Sequence, residues 1–377
     1  MKFAKYISLI ATIATLLVSC EPTTGTNSGK GESDLNKPAL TADSYSIVVN
    51  TPITFTVTLD GADVTEQAAI FDGIEFTRVD NPFTPTVDGD YEFYAVVGEQ
   101  GLISDNIKVA VTPTPPALPE DSDKANTSFN HRILLVDHTG NTCTYCPNMM
   151  TALKEVAEEV VEGTEETENP VLKYHNKYYE AMAHSFTATD PAGSDAANAI
   201  SSYFGISSYP TLTFNFLSDI KSTANAEVIK QQIDALWKES ADAGIAASAS
   251  FASTSVVVNA EVKAAVENEY RINAWLLEDG IYAPQTGANG NEWMNTHNNA
   301  IRQAAITEPM TGFDLGTIAV GQTCSSVMKL NIKRGDWVRE NMKVMLIVSA
   351  KDDKGKYKVE NVAICPIGGS VTYDYKK

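Results

Sequence analysis

Hydrophobic positions in residues 44–111 fall in short alternating or β-branched runs: Ser46–Val49, Ile53–Leu59, Tyr91–Val97 and Ile107–Val111. Asp60-Gly61 and Asp88-Gly89 stand between them as turn signals. The pattern predicts a small all-β sandwich of about seven short strands over 41–112. Thr112–Asp123 then reads Thr-Pro-Thr-Pro-Pro-Ala-Leu-Pro-Glu-Asp-Ser-Asp, an extended, semi-rigid stretch, and residues 113–129 are assigned as a linker. From Ile133 strands alternate with helices. Strands are expected at Ile133–Val136, Pro170–Tyr174 and Thr211–Phe216, and helices from Cys143 to Val161, Ala192 to Phe204 and Ala226 to Ser240. That alternation predicts an α/β domain over 130–243. Beyond it, strands return at Ala247–Ala252, Val256–Ala260, Tyr270–Leu277, Val327–Ile332, Val344–Ala350 and Tyr357–Ile364. With Asp353-Lys354-Gly355 as a turn, they predict a C-terminal all-β sandwich over 244–377.

The start of the chain has a different grammar. Lys2 and Lys5 precede an apolar run, Tyr6–Val18, which leads into Leu17-Val18-Ser19-Cys20. The run is too short to span a bilayer comfortably and has the order of a bacterial signal peptide, residues 1–19, ending in a lipobox. Cys20 is the expected lipidation site: its thiol takes up a diacylglyceryl group, and several acyl chains on one residue give a stable membrane anchor. Residues 20–40, rich in Thr, Ser, Gly, Asn and Lys, are expected to tether the folded part to the lipid.

Charge narrows the partners. The chain of 377 residues carries 48 acidic against 28 basic side chains, a net −20, and cleavage would remove Lys2 and Lys5 as well. Nucleic acid and anionic headgroups are therefore poor partners. The one dense acidic run, Glu162–Glu168, reads as a solvated loop. No cofactor is called for by any motif.

Four cysteines remain after Cys20, an even number that in an exported protein points to disulfides. Cys143-Thr144-Tyr145-Cys146 follows a strand and opens a helix, where helix N–H groups and the macrodipole stabilise a thiolate. In that setting Cys143 is the candidate nucleophile and Cys146 the resolving thiol. A permanent structural disulfide is the plainer reading of the same pair, and a zinc site using His138 or His184 with the two thiolates is a third. Cys324 opens a strand and Cys365 closes the last one, so facing or adjacent strands would make them a structural disulfide. The rival is an electron shuttle with the first pair.

Ile133-Leu134-Leu135-Val136-Asp137, six residues before Cys143, resembles the central strand of the thioredoxin family, and Tyr203–Thr211 resembles the loop in which that family carries a cis proline. The resemblance spans about residues 130–242. It implies that Asp137 is a buried acid serving the second cysteine and that Pro210 is cis with Tyr209 beside the pair. Thr142 stands where thioredoxins have tryptophan, and His138, Gly140 and Asn141 replace aromatic and acidic neighbours. Tyr174–Thr189 reads as an insertion, a lid or docking surface. The N-terminal sandwich resembles the bacterial Ig-like modules of surface proteins, which implies a spacer or adhesive stalk.

A wider resemblance rests on the lipobox, on Val136–Pro147, on Leu277-Glu278-Asp279-Gly280-Ile281 with Gln285 and His297-Asn298, and on Arg302 and Gly312. Together these resemble the outer-membrane lipoprotein family named for a twenty-eight-kilodalton antigen of anaerobic gut and oral bacteria. It implies an outer-membrane, lipid-anchored location on the periplasmic or surface face, and a thioredoxin-like part. The stretch Asp279–His297, with Trp293, is either a binding loop or a segment packed over the sandwich edge or the thioredoxin-like part. Two functions follow: thiol–disulfide exchange on exported proteins, with Cys143, Cys146, Asp137 and Pro210 as the working residues, or a non-enzymatic surface or periplasmic binding protein that uses the thioredoxin-like domain as a scaffold.

Overall fold

The computed structural model describes residues 37–165, 169–217 and 222–376. The expected signal peptide, the expected lipidation site Cys20 and the expected tether up to residue 36 lie outside the described residues, as does 166–168 of the acidic run. Most of the regular structure is β, distributed over several sheets, as a multidomain β-rich chain requires.

Two compact units are present. The first gathers residues 53–83 and 92–108 with 37–43. Ala39–Ala42 runs antiparallel to Phe55–Leu59, and Ala68–Asp72 runs antiparallel to residues 93–97. Alternation turns Phe55, Val57, Ile70, Phe93, Ala95 and Val97 inward, with the Phe55 and Phe93 rings 4.8 Å apart.

The second unit holds 44–52, 84–91 and 109–377. Its α/β part comprises β1 (Ile133–Thr139), α1 (Cys146–Glu158), β2 (Tyr178–His184), α2 (Asp195–Tyr203), β3 (Thr211–Phe214) and α3 (Ala226–Leu236). There follow β4 (Ala243–Phe251), β5 (Ser255–Ala264), β6 (Asn268–Glu278), β7 (Ala300–Ala304), β8 (Phe313–Ile318), β9 (Thr323–Asn331), β10 (Met342–Lys351), β11 (Tyr357–Pro366) and β12 (Gly369–Val371).

Every residue of β1 is buried, because the strand is flanked on both edges and covered on both faces; Ile133–Val136 are apolar accordingly, and Asp137, His138 and Thr139 are the buried polar exceptions. Beside it β2 runs parallel and β3 antiparallel. Ile133 and Leu135 face a core built with α1 and α3, through Met149, Leu153, Ile229 and Phe214. Leu134 and Val136 face the opposite core, with Ala197 and Ile200 of α2. Side-chain caps start the helices: Ser194 accepts from Ala197 N at 3.0 Å and Asn225 from Val228 N at 3.2 Å.

Three expectations change here. The sheet does not stop at residue 243: its order is β3-β1-β2-β7-β6-β10-β11, with β8 also on β6, so strands from the C-terminal part extend the α/β sheet. The join is the parallel pairing of Met182 with Ala300. A second sheet, β9-β5-β4-β12, packs on the C-terminal half of the first through Ile245, Val258, Val262, Leu276, Val344 and Leu346. Second, the segment expected as an insertion holds the parallel partner of β1 inside the sheet, because Tyr178–His184 is β2, whereas Pro170–Tyr174 forms only the bridge Val160–Leu172. Tyr174 is core, 1% exposed, and its hydroxyl bonds Asp234. Third, the proline-rich stretch is fastened rather than free. Asn259 Nδ2 donates to Pro116 O at 3.0 Å, and the buried Lys263 ammonium bonds Asp121 at 2.9 Å and Lys124 O at 2.8 Å.

Candidate functional site

Where β1 ends, Gly140–Thr142 turns the chain into α1, and the turn is held from below. Asp190 Oδ2 accepts from Asn141 N at 2.8 Å and from His184 Nδ1 at 2.9 Å, while Oδ1 accepts from Ala192 N. Burial works to raise the Asp190 pKa, but the bond from His184, its charge and the two backbone donors outweigh it and hold the carboxyl low. Gly140 is required by close approach: a Cβ there would lie 2.5 Å from Phe186 Cβ. Phe186 in turn packs edge-on against Tyr209, ring centroids 5.3 Å apart. The Tyr209-Pro210 peptide is cis, and Pro210 is buried at the start of β3.

Cys143 and Cys146 are joined in a disulfide with Cα atoms 5.5 Å apart, and Cys146-Pro147 opens α1. The two cysteines are 2% and 0% exposed, whereas Tyr145 between them is 70% exposed.

Asp137 lies on the α1 face of β1, two residues after Leu135 in the strand's alternation. It is fully buried, and neither carboxylate oxygen has a hydrogen-bond partner. Burial, reinforced by the nearby Glu180, pushes its pKa well above the usual carboxylate range. Glu180 on β2 is pushed up to about 7 by burial, against the lowering pull of Lys343. His138, on the opposite face, is occupied: Nδ1 pairs with Ser201 Oγ at 2.8 Å and Nε2 with Thr213 Oγ1 at 3.1 Å. Burial lowers its pKa to about 3.

The segment between β6 and β7 covers the cysteine loop. Ile281 pairs with His297 to close its base. At its tip Gln285 Nε2 donates to Cys143 O at 3.1 Å and Gly140 O at 3.3 Å, and Thr286 N donates to Asn141 O at 2.7 Å. Gly287, at φ +83°, comes so close that a Cβ would lie 2.6 Å from Thr144 O. Ala288 and Met294 pack with Met150 of α1. His297 stacks edge-on against His184 at 4.8 Å and bonds Ala283 O at 3.1 Å. Of the two placements open to this stretch, the structure realises the packed one, against the cysteine turn.

The structure joins Cys143 to Cys146 at the start of α1, buries Asp137 on β1 and makes the Tyr209-Pro210 peptide cis before β3, but it does not unite Cys324 with Cys365. Both thiols are free. Cys365 on β11 turns its sulfur to Ala247 O of β4 at 3.7 Å, while Cys324 on β9 pairs with Val262 of β5. Cys324 is two strands from β4, an offset of about 10 Å at the normal strand spacing and outside disulfide reach. The residues that sequence reasoning missed are Glu180 and Asp190, while His184 was named only as a possible zinc ligand. Gln285 and His297 had been singled out by family-like spacing alone.

A family model described as outer membrane protein Omp28 matches residues 197–370. The match covers the Leu277–Gly312 stretch and agrees with the cell-envelope, outer-membrane location expected of the chain. Among solved structures, HBP35 of Porphyromonas gingivalis is similar, with 14% identity and a TM-score of 0.50. The likeness covers 64% of this chain and 77% of that one, and is one of fold. No curated protein matches the chain.

Proposed function

From a chain whose residues 197–370 match an outer-membrane family, we propose a thiol–disulfide exchange protein of the cell envelope, anchored by lipid on Cys20. Its thioredoxin-like domain, around residues 130–243, acts on the thiols of exported proteins, and the Ig-like module serves as a spacer.

Asp137 supports this reading best. A disulfide that only braces a fold needs no acid near it, and a buried carboxyl with neither oxygen paired is expensive to keep. Such groups persist where a proton has to be given or taken. A substrate thiolate attacks Cys143 Sγ, a substrate–Cys143 bond forms, and the Cys143–Cys146 bond breaks. The Cys146 thiolate that leaves takes a proton from Asp137. A second substrate thiolate then displaces Cys143, so the substrate loses two electrons as its disulfide forms and the protein holds two thiols. In reverse, Cys143 is the nucleophile, Cys146 the resolver and Asp137 the proton acceptor. Helix α1 stabilises the Cys143 thiolate from its N-terminus. Pro210 offers backbone to an extended substrate. Both cysteines are buried and the Gln285 segment is bonded to their loop, so in this reading exchange requires that segment to lift.

That same burial favours a second reading, a binding protein in which the disulfide is permanent and the domain a scaffold. A glutathione redox titration of the full chain, wild type and Cys143→Ser, with mass spectrometry of alkylated cysteines, separates the two. Exchange requires that Cys143 and Cys146 interconvert within the glutathione range and that a Cys146→Ser chain trap mixed disulfides through Cys143. A pair that stays oxidised at every potential reached makes the domain a scaffold.

A further inference from the structure

Away from the disulfide, the described residues of the second unit enclose a cleft of about 210 Å³ at the start of α2. In a chain of net charge −20 its lining is unusual: Arg302, Lys333 and Arg334 against one carboxylate, Asp195.

These cations are partly committed, and what remains of them defines the site. Arg302 is 3% exposed; its Nε bonds Glu278 at 2.6 Å and its Nη1 bonds Pro191 O and Gly193 O, which leaves Nη2 over. The Trp337 ring stacks on that guanidinium at 5.3 Å and fixes its plane. Arg334 gives Nε and Nη2 to Asp336, which leaves Nη1 over. Lys333, half-exposed, reaches Asp195 at 3.4 Å. Trp337 itself lines the cleft, is 6% exposed, and its indole Nε1–H has no partner. A buried donor without a partner costs about 1–3 kcal/mol and calls for an explanation. The Ser194 cap of α2 also lines the cleft, adding helix N–H groups whose dipole favours negative charge.

We propose that this cleft binds a small molecule through an oxyanion, a carboxylate or phosphate, held by Arg302 and Arg334 with Lys333 as a further donor, beside the Trp337 ring. The planar fork of Arg302, oriented by Glu278 below and Trp337 above, suits an oxyanion better than a flexible ammonium would. The site includes none of Cys143, Cys146, Asp137 or Pro210, although His184, which supports the cysteine turn through Asp190, also lines it, and it stands whether or not the cysteines exchange.

The test uses the full chain with its four tryptophans labelled with nitrogen-15, the Trp337 indole signal being assigned from Trp337→Phe. Succinate and inorganic phosphate are titrated separately against sodium chloride of equal ionic strength. The expected result is a saturable shift of the Trp337 signal with one or both anions, weakened about tenfold or more in Lys333→Gln/Arg334→Gln, with the other three signals unchanged. Saturation by succinate alone identifies a carboxylate ligand, and by phosphate alone a phosphate ligand. A shift that is linear and matched by chloride, or equal binding by the double variant, overturns the proposal.

Discussion

The side-chain amide of Gln285 donates to the carbonyl of Cys143, the residue that carries the outer sulfur of the disulfide. A residue from the segment between β6 and β7 thereby holds a turn of the α/β part 142 positions earlier. Replacing it with alanine removes the bonds to Cys143 and Gly140, each worth about 1 kcal/mol. In Gln285→Ala, reduction of the disulfide by a small thiol is expected to speed up about tenfold, with a stability loss of about 1–2 kcal/mol. Stopped-flow reduction followed by alkylation measures the first and urea unfolding the second. An unchanged reduction rate would mean that the segment is not what shields the sulfurs.

Gly287 and Gly290 make a matched pair for testing the same cover. Both have positive φ, +83° and +87°, so an alanine at either pays similar backbone strain. Only at Gly287 does the new Cβ meet the Thr144 carbonyl, 2.6 Å away; at Gly290 nothing lies within 4 Å. Gly287→Ala is therefore expected to lose about 2 kcal/mol more than Gly290→Ala in urea unfolding and alone to expose Cys143 to alkylation after reduction. Equal losses in the two variants would place the cost in the backbone and remove the close contact from the account.

If Asp137 handles the proton of Cys146, Asp137→Asn should slow disulfide reduction about tenfold near neutral pH and flatten its pH dependence. Stability should move the other way. The folded pKa of Asp137 is raised, so its ionisation disfavours the fold as pH climbs, and the asparagine chain should gain on wild type as pH rises above the ordinary carboxylate range. Stability that rises while the reduction rate holds would leave Asp137 a buried acid with no part in exchange.

The disulfide of the cysteine pair, the buried acid six residues before it and the cis bond of Pro210 were legible because each depends on local spacing along one strand, turn or helix. The helices were legible for the same reason, through their periodic apolar faces, while the caps Ser194 and Asn225 came only from the structure. What the sequence hid was pairing at long range. Met182 meets Ala300 across more than a hundred residues, so nothing in the run Tyr178–His184 announced a strand beside β1; its polar Tyr-Tyr-Glu start even argued against one. Lys263 gave no sign of being buried, since its stem and charge are covered by the distant Asp121 and Lys124. Cys324 and Cys365 each begin or end a strand as expected, but sheet order, which the sequence does not carry, separates them.

Glu180 offers a test of the buried acids through pH alone. Its carboxyl ordinarily titrates near 4.5 and is pushed up to about 7 in the fold, with Oε1 sealed from any partner. A raised carboxyl favours the folded state below the unfolded pKa, and that contribution is lost as pH climbs through the folded one, because the unfolded chain releases its proton first. The window is therefore pH 4.5 to about 7. His131 and His297, lowered to about 4 by burial, act with the opposite sign over about 4 to 6.5, so the wild-type profile mixes the two. Subtracting wild type from Glu180→Gln cancels the histidines and leaves the glutamate. The difference in unfolding free energy is expected to grow in favour of the glutamine chain by about 3 kcal/mol between pH 4.5 and pH 8, on top of a constant offset from the new amide. Part of that gain comes through Asp137, whose pKa falls when the neighbouring charge is removed. Urea unfolding of both chains across this range reads the result directly, and a difference that stays flat would show that Glu180 is ionised and paired in the native protein.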